Sequence, residues 1–210
     1  MEKARDQNNT SNEIILNRNS IITLIKNHNN IIEYVNDYFV HVTGYEIDEI
    51  ISRCYDIFKH PDTPKIIYKE LEKTLEKKGN AYVVINNLTK TGNYFWTIAY
   101  FEIQFDELKQ IKSYYIRKKF IPLRVKEQIE NLYKKLIAIE ACDEKDITEK
   151  YFYGFLENIK MTYTEYILHL FNMNEIEISD YLKVKNIERK DTKYFKNVEL
   201  GIIERALLQG

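Results

Sequence analysis

Side chains able to do chemistry are few in this sequence and thinly spread. Cys54 and Cys142 lie far apart and form no C-x-x-C pair, which speaks against a disulfide framework or a zinc knuckle. His28, His41, His60 and His169 show no H-E-x-x-H or other metal spacing. No nucleophile–base pair or carboxylate dyad stands out, so an enzyme is the least expected class. Two places differ. Pro61 and Pro64, two of the chain's three prolines, fall in Phe58–Pro64, a short stretch that also holds Lys59, His60 and Asp62; taken alone it reads as a turn ahead of a helix. Asn87 sits within Ala81–Leu88, a run rich in Val and Ile where an amide is unusual by β propensity. A group that both donates and accepts, turned inward at such a position, favours a ligand.

These residues need elements to hold them. Met1–Asn19 is polar with few apolar anchors and reads as a flexible arm, helical at most near Ile14–Leu16. Ser20–Lys26 is β-branched, and the turn cluster Asn27–Asn30 leads to Ile31–Val35, a hairpin signal. Asn36 is a good helix N-cap for a brief helix through Val42, closed by Gly44. A longer helix is predicted from Thr63-Pro64, with Thr63 capping and Pro64 in the first helical position, ending before Gly79. Its apolar face is Ile67, Leu71 and Leu75 with Tyr68. Ala81–Leu88, Tyr94–Phe105 and Ile111–Phe120 read as three antiparallel strands around a turn at Thr91-Gly92-Asn93. Trp96 lies in one of them, where a core aromatic is the commoner role. The expected product is α+β: an antiparallel sheet with helices packed on one face and a pocket between them.

After Pro122 the pattern turns helical. Val125, Ile129, Leu132, Leu136 and Ile139 form an a/d-like seam too short for a coiled coil by itself. It either packs on the chain's own sheet or serves as a homodimer seam. Further helices are predicted near Ile147–Lys160, Tyr163–Phe171 and Glu199–Leu208, the first two opening on capping-box patterns at Asp146-x-x-Glu149 and Thr162-x-x-Glu165.

Among 210 residues, 31 Lys and Arg against 32 Asp and Glu leave a net charge of −1, which argues against a nucleic-acid-binding surface. No apolar run approaches the ~18 residues that span a bilayer, and the N-terminus has no apolar h-region. The expected setting is cytoplasmic.

Read together, Tyr34–Tyr45 (N-D-Y-F and T-G-Y), Phe58–Pro64 (H-P-D-T-P), Ile85–Asn87 and Lys90–Trp96 (K-T-G-N-Y-F-W) resemble a PAS domain of the Aer aerotaxis-receptor subfamily over about Ser20 to Leu136. The resemblance implies a five-stranded antiparallel sheet with helices on one face, and non-covalent binding of FAD to report redox state. Position by position it implies cofactor contacts at Asn36, Lys59, His60, Asp62, Asn87 and Trp96. Lys59 replaces the family's Arg and loses its planar fork, and Glu72 falls about where many relatives carry a Trp. The expected organisation is an arm (1–19), a PAS sensor domain (20–121), a signalling helix (122–140) and a helical extension (141–210).

Two functions follow as expectations. One is a non-enzymatic FAD redox sensor acting by contact on a membrane chemoreceptor or other signalling protein, since no transmitter segment is present. The other is a cofactor-free PAS interaction module, favoured by the Lys59 and Glu72 departures. A haem sensor lacks a good helix histidine. Ser52–Phe58 is superficially similar to the reactive segment of blue-light LOV domains. However, Cys54 arrives one residue early and Tyr55 takes the reactive place, a rotation of about 100° on a helix.

Overall fold

The computed structural model describes residues 12–142 and 145–171. The chain forms β1 (Ile22–Asn27), β2 (Ile32–Val35), α1 (Asp37–Thr43), α2 (Ile47–Ile50), a 3-10 turn (Tyr55–Phe58) and α3 (Lys65–Lys78). Then follow β3 (Asn80–Leu88), β4 (Tyr94–Phe105), β5 (Ile111–Lys119), α4 (Leu123–Glu140), α5 (Lys145–Asn158) and α6 (Tyr163–Leu170). The five strands make one antiparallel sheet in the order β2-β1-β5-β4-β3. β5, last in sequence, is therefore its middle strand.

Register sorts the side chains onto two faces. The pairs Asn87–Phe95, Ile85–Thr97, Val83–Ala99 and Ala81–Phe101 lie on one face, continuing to Ile116 and Lys118 of β5 and to Leu24 and Ile22 of β1. This inner face is covered by α1, α2, the 3-10 turn and α3 through Phe39, Ile50, Tyr55, Phe58 and Ile67, all buried. The outer face carries Val84, Asn86, Trp96 and Ile98.

The C-terminal helices cover that second face, so the helical layer is not confined to one side. Tyr133 of α4 donates its hydroxyl to the Val84 carbonyl at 2.6 Å, and its ring lies 5.9 Å from Trp96. Tyr163 of α6 joins the same hydroxyl pair. Coverage on both sides explains why β3 and β4 read as continuous apolar runs rather than alternating ones. Val125, Ile129, Leu132 and Leu136 are buried within the chain, and Ile139 is half-buried. In this conformation the seam packs on the chain's own sheet, so four of its five positions are not free for a second copy.

Both sheet edges are covered in part, which reduces unpaired strand backbone. Ile32 of β2 pairs with the Ser52–Arg53 backbone at 2.9 Å. At the other edge, Lys59 bridges Asn87 and the Thr63 hydroxyl accepts from the Asn86 N–H at 2.9 Å. Thr63 is thereby drawn away from the capping role expected of it. Pro64 stands at the N-cap of α3 without a side-chain bond. The donors are met instead by Glu140, the last residue of α4, whose two carboxylate oxygens accept from Lys65 N at 3.1 Å and Ile66 N at 3.0 Å. A carboxylate at a helix N-terminus is favoured by both the orphan donors and the macrodipole. At the other end Gly79 takes a left-handed φ of 76°, a conformation in which a Cβ is strained.

The expected arm is docked from Asn12 onward. Glu13 bridges Tyr94 and Ile14 N donates to Tyr94 O at 2.7 Å, extended rather than helical, and Leu16 is buried. The predicted helices near 147–160 and 163–171 appear as α5 and α6, and the Thr162–Glu165 capping box forms. The helix expected at 199–208 lies outside the described residues. No helix among the described residues is long and apolar enough to cross a membrane.

Glu140→Ala should lower stability by about 1 kcal/mol, the usual worth of an N-cap, and speed amide exchange at Lys65 and Ile66. Unchanged exchange at those two amides would show that water caps α3 equally well.

Candidate functional site

On the inner face, an ammonium is buried among apolar side chains. Lys118 is 0% exposed, because the period of two that turns Ile116 inward on β5 turns Lys118 inward as well. Ala99, its neighbour on β4, carries only a methyl group and leaves the long side chain room to cross to β3. There Lys118 Nζ donates to Asn87 Oδ1. The Asn87 amide is itself 1% exposed, and its Nδ2 lies 3.1 Å from each of Ile85 O, Phe95 O and Thr97 Oγ1. The other neighbour of Lys118 is the ring of Tyr55, 5.0 Å from Nζ. No carboxylate bonds Lys118 among the described residues. Loss of solvent, reinforced by the charge of Lys26, pulls its pKa down to about 7.

Beyond Tyr55 opens a cavity of about 380 Å³ between the sheet and α3, lined by Lys26, Lys59, Tyr55, Tyr68, Glu72 and Tyr114 among others. That volume falls near the low end of the range typical of small-molecule sites, ~300–1,000 Å³. Lys26 caps it from β1. Its Nζ lies 5.0 Å from the Tyr55 ring, 4.9 Å from the Tyr114 ring and 2.6 Å from Asn30 Oδ1. Desolvation, then the nearby charge of Lys59, brings its pKa down to about 8. Tyr55 thus stands between two cations and separates the cavity from the Lys118–Asn87 pair. Lys59 pairs with Asp56 at 2.8 Å and lies over the Tyr68 ring at 4.6 Å.

The six positions singled out from sequence are dispersed. Asn87 lies on the inner face near the end of β3, the edge strand. Lys59 reaches the cavity, and its backbone meets Asn87 along the β3 edge. His60 lies on that edge against Tyr94, ring centroids 5.2 Å apart, with Nδ1 accepting from Asp62 N at 3.1 Å. Burial lowers its pKa more than Asp62 raises it. Asp62 is exposed. Asn36 caps α1: Oδ1 accepts from Phe39 N and Thr23 N at 3.1 Å each, and Nδ2 donates to Ile21 O at 2.8 Å. Trp96 is on the outer face, against Tyr133. Glu72 lines the cavity.

Sequence reasoning passed over Lys118, Tyr55 and Lys26. Lys118 stands in Arg117-Lys118-Lys119, which looks like a solvated strand end. The alternation counted from Ile116 would have turned it inward, but only the topology makes β5 the middle strand. Cys54 is exposed and its Sγ accepts from Asn30 Nδ2 at 3.4 Å, while the neighbouring Tyr55 points into the core. A thiol so placed is not at the inner-face cluster.

The sheet order, the short helices between β2 and β3, and the longer α3 place this fold. Residues 32–115 match the family model described as the PAS fold. Over these residues the chain has the PAS fold. The aerotaxis receptor of Escherichia coli strain K12 is 32% identical over 68 residues, 32% of this chain and 13% of that receptor. Phototropin-1A of Oryza sativa subsp. japonica is 24% identical over 99 residues, 47% of this chain and 11% of that protein. This chain therefore matches only about an eighth or less of either relative's length. The dark structure of the blue-light photoreceptor Aureochrome1 LOV superposes with a TM-score of 0.46 at 21% identity, covering 57% of this chain and 86% of that one.

Tyr68, Tyr114 and Phe101 give the cavity flat apolar walls that suit a planar cofactor of flavin type, and Lys118, bonded by no carboxylate among the described residues, lies behind Tyr55 outside that lining.

The two lysines make stability depend on pH. Their folded pKa values lie below the ordinary lysine value, so between pH 7 and 9 the unfolded chain holds more protons than the folded one. Stability therefore rises with pH, by up to ~1.4 kcal/mol per unit for each group. Urea unfolding at pH 7, 8 and 9 should show this rise, and Lys118→Met should remove at least half of it. A slope unchanged by Lys118→Met would mean that Lys118 titrates normally.

Proposed function

We propose that this chain is a cytoplasmic sensory PAS protein that binds FAD non-covalently between the inner face of the sheet and α3. In this reading it reports redox or energy state to a membrane chemoreceptor or another signalling protein by direct contact. The observation that carries the ligand half is Lys118, a buried ammonium with a single neutral hydrogen-bond partner beside an aromatic-lined cavity. A buried charge without a counter-ion is costly, and a ligand with an anionic edge would offset that cost. The resemblance to the aerotaxis-receptor subfamily supports FAD over other planar anions.

A bound flavin would supply reversible electron transfer. Of the chain's own residues, Lys118 would offer a donor and a positive charge. Asn87 would fix the ammonium through Oδ1, with Thr97 holding the Asn87 amide in that orientation. Tyr55, Tyr68 and Phe101 would exclude water. Lys26 and Lys59, which share the cavity lining with Asp56, Glu72 and Glu76, would supply cations for the phosphates of a dinucleotide. For the output half, β5 runs through Pro122 directly into α4, so the strand bearing Lys118 is continuous with the helix that covers the outer face.

A second reading, the cofactor-free interaction module, has its own support. The amides of Asn36 and Asn87 make their hydrogen bonds within the chain, and Phe39, Phe58, Phe95 and Phe101 fill the inner face.

The visible spectrum of freshly purified protein separates the two, taken before and after dithionite, with any released cofactor identified by chromatography. Flavin bands that bleach on reduction, with FAD recovered, are expected. Protein that stays colourless after incubation with FAD would leave the interaction module. Asn87→Ala should weaken FAD retention about tenfold, ~1.4 kcal/mol, whereas Trp96→Phe, on the opposite face, should not.

A further inference from the structure

We infer that the Tyr55 ring is a gate worked by a proton on Lys118. While the side-chain amine is neutral, the ring stays closed beside it. When the amine takes a proton from solvent, the ring swings into the neighbouring cavity and water reaches the ammonium. No cofactor takes part, so the gate is independent of the flavin reading. The closed arrangement suits an amine better than an ammonium. Lys118 is 0% exposed and has one acceptor, Asn87 Oδ1, whereas an ammonium carries three donors. The Tyr55 ring lies 5.0 Å from its Nζ, and Lys26 Nζ lies over the same ring at 5.0 Å. Two charges share one ring once both lysines are protonated.

The elements packed around Lys118 do not answer its charge. β3 and β4 bring Asn87, Thr97, Ala99 and Phe101, none of them ionisable. The buried residues of α1 and α2 are Phe39, Val42, Thr43 and Ile50. β1 adds Lys26, and the 3-10 turn adds Asp56, which is held by Lys59 and by Asn30 Nδ2 at 2.8 Å. His28, Tyr68, Glu72, Glu76 and Tyr114 line the cavity on the far side of Tyr55. Burial pushes the hydroxyls of Tyr55, Tyr68 and Tyr114 up, so these rings stay neutral around pH 7. Nothing locks the Tyr55 ring. Its hydroxyl makes no hydrogen bond among the described residues, and its ring partners are Phe58 and Phe101, with centroids 6.4 and 6.3 Å away. The ring already lines the cavity of about 380 Å³, so the space it would enter exists.

The sign of the response follows from linkage. Closed, Lys118 has a pKa of about 7, lowered by burial and then by the charge of Lys26; a hydrated lysine titrates near ~10.4. The open form therefore binds the proton more tightly. Between those values the open-to-closed ratio should rise about tenfold for each unit of pH lowered, levelling off below pH ~7.

The test uses the full chain labelled with fluorotyrosine, with the Tyr55 fluorine signal assigned by its absence in Tyr55→Phe. Its shift between H2O and D2O, a measure of contact with solvent, is read from pH 9 to pH 6. The shift should be near zero at pH 9 and grow as the pH falls to 7. Lys118→Met fills similar space without a charge, and circular dichroism checks its fold. It should keep Tyr55 closed at every pH, which separates the response from His28. Lys118→Arg, charged throughout this range, should hold the ring open even at pH 9. A wild-type Tyr55 signal with the same solvent shift at pH 9 and pH 6 would overturn the gate. So would a pH response that survives in Lys118→Met.

Discussion

One hydrogen bond, from the ammonium of Lys118 to the amide of Asn87, sets the character of the inner face. It joins β5 to β3 across β4, and it can do so because Ala99 and Thr97 of β4 are small. Around it the inner layer is apolar and closely packed, so polarity is concentrated at one place. An isolated charge in such surroundings lowers stability, and an apolar residue of the same length would remove that cost. The chain nevertheless holds the ammonium with an amide whose remaining hydrogens are fixed on two carbonyls and a threonine.

The same sheet is covered on its other side by the chain's own C-terminal helices. This gives the extension after residue 122 a physical role: it removes Trp96, Ile98 and Val84 from water, and it closes on α3 through the Glu140 carboxylate. Asn86 marks the least satisfied point of that contact. Its side chain is buried, and neither Nδ2 nor Oδ1 has a hydrogen-bond partner among the described residues. Burying an amide in that condition costs roughly 1–3 kcal/mol. The outer layer is therefore held by aromatic packing and the Tyr133–Val84 bond rather than by hydrogen bonds to the Asn86 side chain.

Most of the fold could be read from the sequence, because it rests on local signals. Gly44 and Gly79 close their helices, Asn36 caps α1, and the strands follow runs of β-branched and aromatic residues. Asn87 was legible for a similar reason, as an amide out of place in a strand. What could not be read depends on which elements meet in space. Lys118 becomes a site residue only because β5 is the middle strand. Thr63 loses its capping role only because the β3 edge competes for its hydroxyl, and Glu140 gains that role from 75 residues away. Trp96 matched a motif, but strand alternation from Asn87 through the Asn87–Phe95 pair puts it on the face opposite the cavity. A motif fixes residue types, whereas register fixes faces.

Register also links the two sides of the sheet. Asn86 and Asn87 are consecutive, so one turns out and the other in. Asn87 holds Lys118 on the inner face. Asn86 lies under the outer layer, and its backbone is tied to Thr63 at the sheet edge. Thr63 is followed by Pro64 and the first turn of α3, whose amides are bound by the last residue of α4. The Asn87 peptide is therefore one residue from the unsatisfied amide beneath the C-terminal layer and, through Thr63, a few more from the contact that pins the end of α4. Coupling along this contiguous route requires an element with two arrangements that both ends can bias. The weakest polar point of the outer layer and the charged point of the inner face are neighbours on one strand. That is where such an element would have the least resistance to overcome.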